Sequence, residues 1–137
     1  MADTIRKADY FSIKVSNRPG EGARLLKALR DEGVSLLAFT GFPDSGKAQV
    51  DFVPENAAKL KKAARKMKLD LGKKKTVFLL RGDDRVGALV GVLERLAAAR
   101  INMTAMDAVS AGKGRYGAVF WVKPQAVAKA AKVLGAR

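Results

Sequence analysis

Asn17-Arg18-Pro19-Gly20 and Asp84-Arg85-Val86-Gly87 are two versions of one four-residue pattern, and their surroundings repeat as well. Arg18 and Arg85, Gly20 and Gly87, Leu26 and Leu93, Leu29 and Leu96, and Ala38 and Ala105 each stand 67 positions apart. Apolar positions coincide around these anchors, Leu25 with Val92 and Val34 with Ile101. A repeat of this length holds a small α/β module rather than one turn of a solenoid. The chain therefore reads as two copies of one domain, over residues 8–73 and 74–137.

Outward from the first pattern, Phe11, Ile13 and Val15 alternate with Tyr10, Ser12 and Lys14, which is the period of a strand. Beyond it, Ala23, Leu25, Leu26 and Leu29 fall on one helical face, and Gly33 is a stop signal. Residues 34–42 and 48–53 read as strands joined by a turn at Pro43-Asp44-Ser45-Gly46. Ala57, Leu60, Ala64 and Met67 make the stripe of a second helix, and 69–71 reads as a short closing strand. The second copy repeats the order: a strand at 76–80, a helix to about 100, strands at 101–110 and 116–122, and a helix from Pro124 to Val133. β-α-β-β-α-β is the ferredoxin-like split motif. The expected fold class is α+β, with two ferredoxin-like βαββαβ modules in tandem and antiparallel sheets carrying helices on one face. Only thirteen residues follow Pro124, so the last strand of the second copy is short or missing. A bare sheet edge invites pairing, and a homo-oligomer is expected.

Composition narrows the chemistry. The chain has no Cys and no His, which removes disulfides, thiolate nucleophiles, imidazole bases and the usual metal ligands. No cluster of carboxylate, lysine and hydroxyl groups replaces them, so neither an enzyme, a cofactor nor a metal site is expected. Gly82 and Gly87 frame four residues, but no Lys-Ser or Lys-Thr follows and the P-loop pattern fails. The polar start of the chain lacks an apolar leader segment, and no run approaches membrane-spanning length. A cytoplasmic protein without a membrane partner is the expectation. The net charge is +14, from 27 basic and 13 acidic residues. Much of it lies between Lys59 and Lys75, where nine cations face only Asp70. Such a field can attract polyanions; a solvated helix face is the commoner role of a charge run.

Asn17-Arg18-Pro19-Gly20, the Leu-rich helix after it and Gly33-Val34-Ser35-Leu36-Leu37 together resemble the ACT domain. Asp84-Arg85-Val86-Gly87 with Arg100-Ile101-Asn102-Met103 resembles it a second time, and the two copies span nearly the whole chain. The resemblance implies a regulatory protein that binds a small molecule, most often an amino acid, at a seam between domains. It implies a site built from the loop residues Asn17, Arg18, Pro19, Gly20, Asp84, Arg85 and Gly87 with the strand positions Ser35 and Asn102. Each copy departs from the pattern once, since Val86 stands where the loop proline is expected and Ser35 where the strand Asn is.

The loops make physical sense apart from any family. Asn17 or Asp84 can cap the next helix by accepting a backbone N–H bond. Pro19 suits a first helical turn. Gly20 and Gly87 carry no side chain, so a ligand can approach the backbone donors of a helix start, which favour a carboxylate. Asp84, or Asn17 as a neutral acceptor, could then take an ammonium. The plainer reading is that the pattern is only a good strand-to-helix turn.

A second class of function competes. RNA-recognition motifs share this order of elements and stack bases on aromatics of their first and third strands. Lys113-Gly114-Arg115-Tyr116-Gly117-Ala118-Val119-Phe120-Trp121 partly echoes their signature, with Phe78 as partner aromatic. Arg115 breaks the register, and Gln49-Val50-Asp51-Phe52-Val53 in the first copy lacks the signature. Val77-Phe78-Leu79-Leu80 reads instead as a strand covered on both faces. The expectation is a small-molecule regulatory protein, with a single-stranded nucleic-acid binder as the alternative.

Overall fold

A computed structural model describes residues 3–137. Along the chain run β1 (Thr4–Ser16), α1 (Glu21–Asp31), β2 (Leu36–Asp44), β3 (Lys47–Pro54) and α2 (Ala57–Met67). There follow β4 (Lys75–Asp83), α3 (Val90–Ala98), β5 (Met103–Gly112), β6 (Arg115–Val122), a 3-10 turn at Pro124–Ala126 and α4 (Val127–Leu134). The fold is α+β, a tandem pair of ferredoxin-like modules with antiparallel strands. Contacts divide the chain into a leading unit, Asp9–Lys75, and a trailing unit, Thr76–Arg137 together with residues 3–8.

In the leading unit the sheet order is β2-β3-β1. Alternation puts Phe11 and Ile13 of β1 and Val50 and Phe52 of β3 on one face, with Phe11 paired to Phe52. Leu25 and Leu29 of α1 and Leu60, Ala63 and Ala64 of α2 cover that face. Removing this much apolar surface from water is the main stabilising term for so small a unit. α2 starts from Asn56, whose side chain accepts the Lys59 N–H at 3.2 Å. Its lysines are exposed, Lys66 reaching Glu32 at 3.1 Å, so the basic run is a solvated face over an apolar stripe. On the opposite sheet side Asp51 is buried, accepting from Ser12 Oγ at 2.6 Å and from Gln49 Nε2 at 3.1 Å. Lys75 Nζ donates to Ser12 Oγ at 3.1 Å and lies over the Tyr10 ring. The Asp51 carboxylate is thus buried with partners, as a buried charge must be.

The closing strand expected at 69–71 does not form. Lys68 turns left-handed to end α2, the Leu69 N–H bonds back to the Ala64 carbonyl, and Asp70 Oδ1 accepts the Gly72 N–H. These local bonds satisfy the backbone without a strand partner, while Leu71 is buried in the core.

In the trailing unit Phe78 and Leu80 of β4 share a face with Tyr116, Ala118, Phe120 and Val122 of β6. Phe78 pairs with Phe120, the rings stacked 5.1 Å apart. Val92 and Leu96 of α3 and Ala130, Ala131 and Leu134 of α4 close over them. Strand order here is β4-β6-β5, with β1 beside β4. The edge expected to be bare is filled, because residues 3–8 belong to this unit. Ile5 packs on its core and the Lys7 N–H donates to the Arg137 carbonyl at 2.9 Å. The start of the chain thus stands where the second copy lacks a strand, and the edge no longer argues for oligomerisation. The run Val77 to Leu80 is buried at Val77, Phe78 and Leu80, as a strand covered on both faces requires.

Candidate functional site

β4 and β5 are both antiparallel to β6 and so run parallel to each other. Their C-terminal ends therefore lie at the same end of the sheet, where the loop 84–89 meets residues 108–110. Between them is a cleft of about 350 Å³, within the range of small-molecule sites. Its polar side carries Asp84, Arg85 and Ser110, and its apolar side Val90, Leu93 and Ala108. All of its lining residues belong to the trailing unit. Val90 and Leu93 are 52% and 38% exposed, so an apolar wall stands open to solvent.

Asp84 is fixed twice. Its N–H donates to the Gly114 carbonyl at 2.7 Å, and its Oδ2 accepts the Ser110 hydroxyl at 2.7 Å. Arg85 is fixed more fully. Its two terminal nitrogens donate to both oxygens of Asp3, at 3.3 and 3.2 Å, and to the carbonyls of Asp83 and Ala88, at 2.9 and 3.4 Å. A two-pronged guanidinium–carboxylate pair of this kind is specific in geometry. Its hydrogen bond holds the Asp3 carboxyl below the usual carboxylate range, against the opposing effect of burial. Burial raises the Tyr116 hydroxyl, and the adjacent Asp3 raises it further.

Asp84, Arg85 and Gly87 thus come together at the cleft. Gly87 has φ +70° in the turn before α3, a conformation that costs a side chain. The other sequence-derived residues are not among those lining it. Asn17, Arg18, Pro19 and Gly20 form the exposed loop after β1 in the leading unit. Asn102 is exposed just before β5, roughly 25 Å from Ser110 at the rise of an extended strand. Ser35 likewise precedes β2, its carbonyl accepting the Glu55 N–H at 2.9 Å.

Neither Asn17 nor Asp84 caps a helix. Gly20, at φ +88°, is the N-cap of α1 and Leu89 that of α3, neither end bearing a side-chain cap bond. Gly20 thus lies at a helix start, whereas Gly87 is two residues short of the α3 N-cap. Sequence reading missed Ser110 as a site residue and the apolar wall, which no local pattern announces. The aromatics required by the RNA-binding reading are core residues, since Phe78, Tyr116, Phe120 and Trp121 are all buried. Bases need exposed rings to stack on.

Among the described residues no helix is long and apolar enough to cross a membrane. No protein-family model matches the chain, and neither does any curated protein sequence. Solved structures do. A protein of Bacteroides thetaiotaomicron is similar with TM-score 0.81 at 19% identity, over 96% of this chain and 88% of its own. The regulatory subunit of aspartate kinase from Thermus thermophilus, in its ligand-free form, is similar with TM-score 0.62 at 12% identity, over 98% and 95%. That from Thermus flavus has TM-score 0.59 at 14% identity, over 98% and 94%. At these identities the likeness is one of fold.

Proposed function

We propose that this chain is a regulatory protein that binds an amino acid in the cleft of its trailing unit and passes occupancy on to a partner or to its own assembly. The observation that carries this reading is the convergence of Asp84, Arg85 and Gly87 with Ser110 and an open apolar wall around one cleft. The cleft offers a carboxylate for an ammonium and apolar surface for a side chain, while the absence of Cys and His leaves it poor in catalytic groups. The likeness in fold to regulatory subunits of aspartate kinase supports a regulatory rather than a catalytic role. A ligand shifts a partner equilibrium only by its difference in affinity for the two states.

Thermal unfolding of the whole chain with each common amino acid tests the reading. A ligand at a hundred times its dissociation constant adds about 2.7 kcal/mol of stability, a clear rise in midpoint for a chain of this size. If no amino acid raises the midpoint at millimolar concentration, amino-acid binding is wrong.

A further inference from the structure

The cleft is unequal in the charges it leaves for a ligand. Arg85 is the cation nearest to hand, yet its terminal nitrogens already make four hydrogen bonds, two of them to the Asp3 carboxylate. A ligand carboxylate must displace Asp3 to be gripped by this guanidinium. Asp84 is differently placed, with Oδ2 held by the Ser110 hydroxyl and the residue itself exposed at the rim. It offers net negative charge that Ser110 orients without neutralising. The same cleft is lined by Val90 and Leu93, with Ala88 and Ala108.

We infer that the cleft reads the ammonium and an aliphatic body of its ligand, and reads the carboxylate little or not at all. The ligand class is an amino acid with an uncharged aliphatic side chain, its ammonium on Asp84 and its side chain against Val90, Leu93 and Ala108. This rests on the amino-acid reading of the cleft and sharpens it. A charged or strongly polar side chain would be desolvated against that wall without a partner, which is costly. An aliphatic one gains on the order of 25 cal/mol per Å² of apolar surface covered.

Titration calorimetry with three related compounds separates the parts. L-Leucine carries both charged groups, 3-methylbutylamine lacks the carboxylate, and 4-methylpentanoate lacks the ammonium. Leucine and the amine should bind within about tenfold of each other, while the acid should bind at least about tenfold more weakly than leucine, since hydrogen bonds to charged groups are of that strength. Asp84→Asn should weaken leucine and the amine by a similar factor and leave the thermal midpoint of the free protein in place. Val90→Asp, at an exposed position, should weaken leucine and move the preference towards L-lysine. If 4-methylpentanoate binds as well as leucine and Asp84→Asn changes nothing, the ammonium assignment is overturned. If a polar amino acid binds more tightly than leucine through Asp84, the aliphatic assignment falls while the amino-acid reading stands. If neither leucine nor any other amino acid binds, the amino-acid reading falls with it; binding of the amine alone would leave only the ammonium preference.

Discussion

The loops after β1 and β4 begin from one pattern and end in different structures. In the leading unit Gly20 is itself the N-cap, so α1 starts at Glu21, whose carboxylate takes Arg24 at 2.6 Å. In the trailing unit the chain continues past Gly87 through Ala88 and Leu89 before α3 begins at Val90. Pro19 prefixes its backbone for a helix start, whereas Val86 does not. Arg85 then ties the Asp83 and Ala88 carbonyls to itself and to Asp3. Position by position, Pro43 stands where Ser110 does, Glu21 where Ala88 does and Arg24 where Gly91 does. The repeat supplied two loops, and only the trailing one has the open apolar wall beside an oriented carboxylate.

The largest expected effect tests whether the frames are equivalent. Each unit centres on a cross-strand Phe pair, Phe11 with Phe52 and Phe78 with Phe120, all four fully buried. Phe11→Ala and Phe78→Ala should each cost about 3–5 kcal/mol, read as loss of unfolding free energy in urea. A cost below about 1 kcal/mol at either site would show that its pair does not organise its unit.

A smaller effect isolates the tie that only the trailing loop has. Asp3 has its folded-state carboxyl lowered chiefly by its hydrogen bond to Arg85. A lowered carboxylate contributes stability that is fully present above its unfolded value near 3.9 and is lost as pH falls through the folded value. Asp3→Asn should therefore lower the thermal midpoint at pH 7 by a few degrees at most, given how exposed Arg85 is. The gap to the unaltered protein should close as the solution is acidified below pH 4 and persist unchanged between pH 6 and 8. A gap independent of pH down to 2 would mean that Asp3 acts by packing and not through its charge.

Much of the frame was legible because it is periodic and local. Alternation around Phe11 and Ile13, the stripes of the first two helices and the Gly-bearing turns all announce themselves within a dozen residues. Even the irregularity has a local cause: β6 follows β3 at a spacing of 68 rather than 67, because the β5–β6 register shifts between Ser110 and Gly112, making room for one extra residue. What was not legible is long-range. That residues 3–8 fill the edge of the trailing unit depends on partners such as Arg137 and Arg85, which lie some eighty or more positions on. The Asp84–Ser110 bond spans a helix and most of a strand. Asn17 and Asp84 looked like caps because their residue type caps well, yet both stand too far before their helices to reach the free N–H groups.

The smallest effect, and the sharpest test of the comparison, is a graft. Asn17→Asp with Pro43→Ser would place in the leading unit the counterparts of Asp84 and Ser110. Pro43 lies in β2, an edge strand, so its replacement restores an N–H without disturbing a central ladder. Leu26, 37% exposed, and Ala23 already stand where Leu93 and Val90 do. If the carboxylate–hydroxyl pair and the apolar wall suffice, the double variant should gain a second site for leucine, seen as a second, weaker binding event. It should be weaker because α1 begins earlier and its Glu21–Arg24 pair occupies positions held by Ala88 and Gly91 in the trailing unit. Adding Glu21→Ala and Arg24→Gly should then tighten that event, although Gly inside a helix costs about 1 kcal/mol of stability. If affinity appears only after these further changes, the shape of the loop governs recognition. If it never appears while both units stay folded, the Arg85–Asp3 tie is part of the site, and Asp3→Asn should weaken leucine binding in the trailing unit as well.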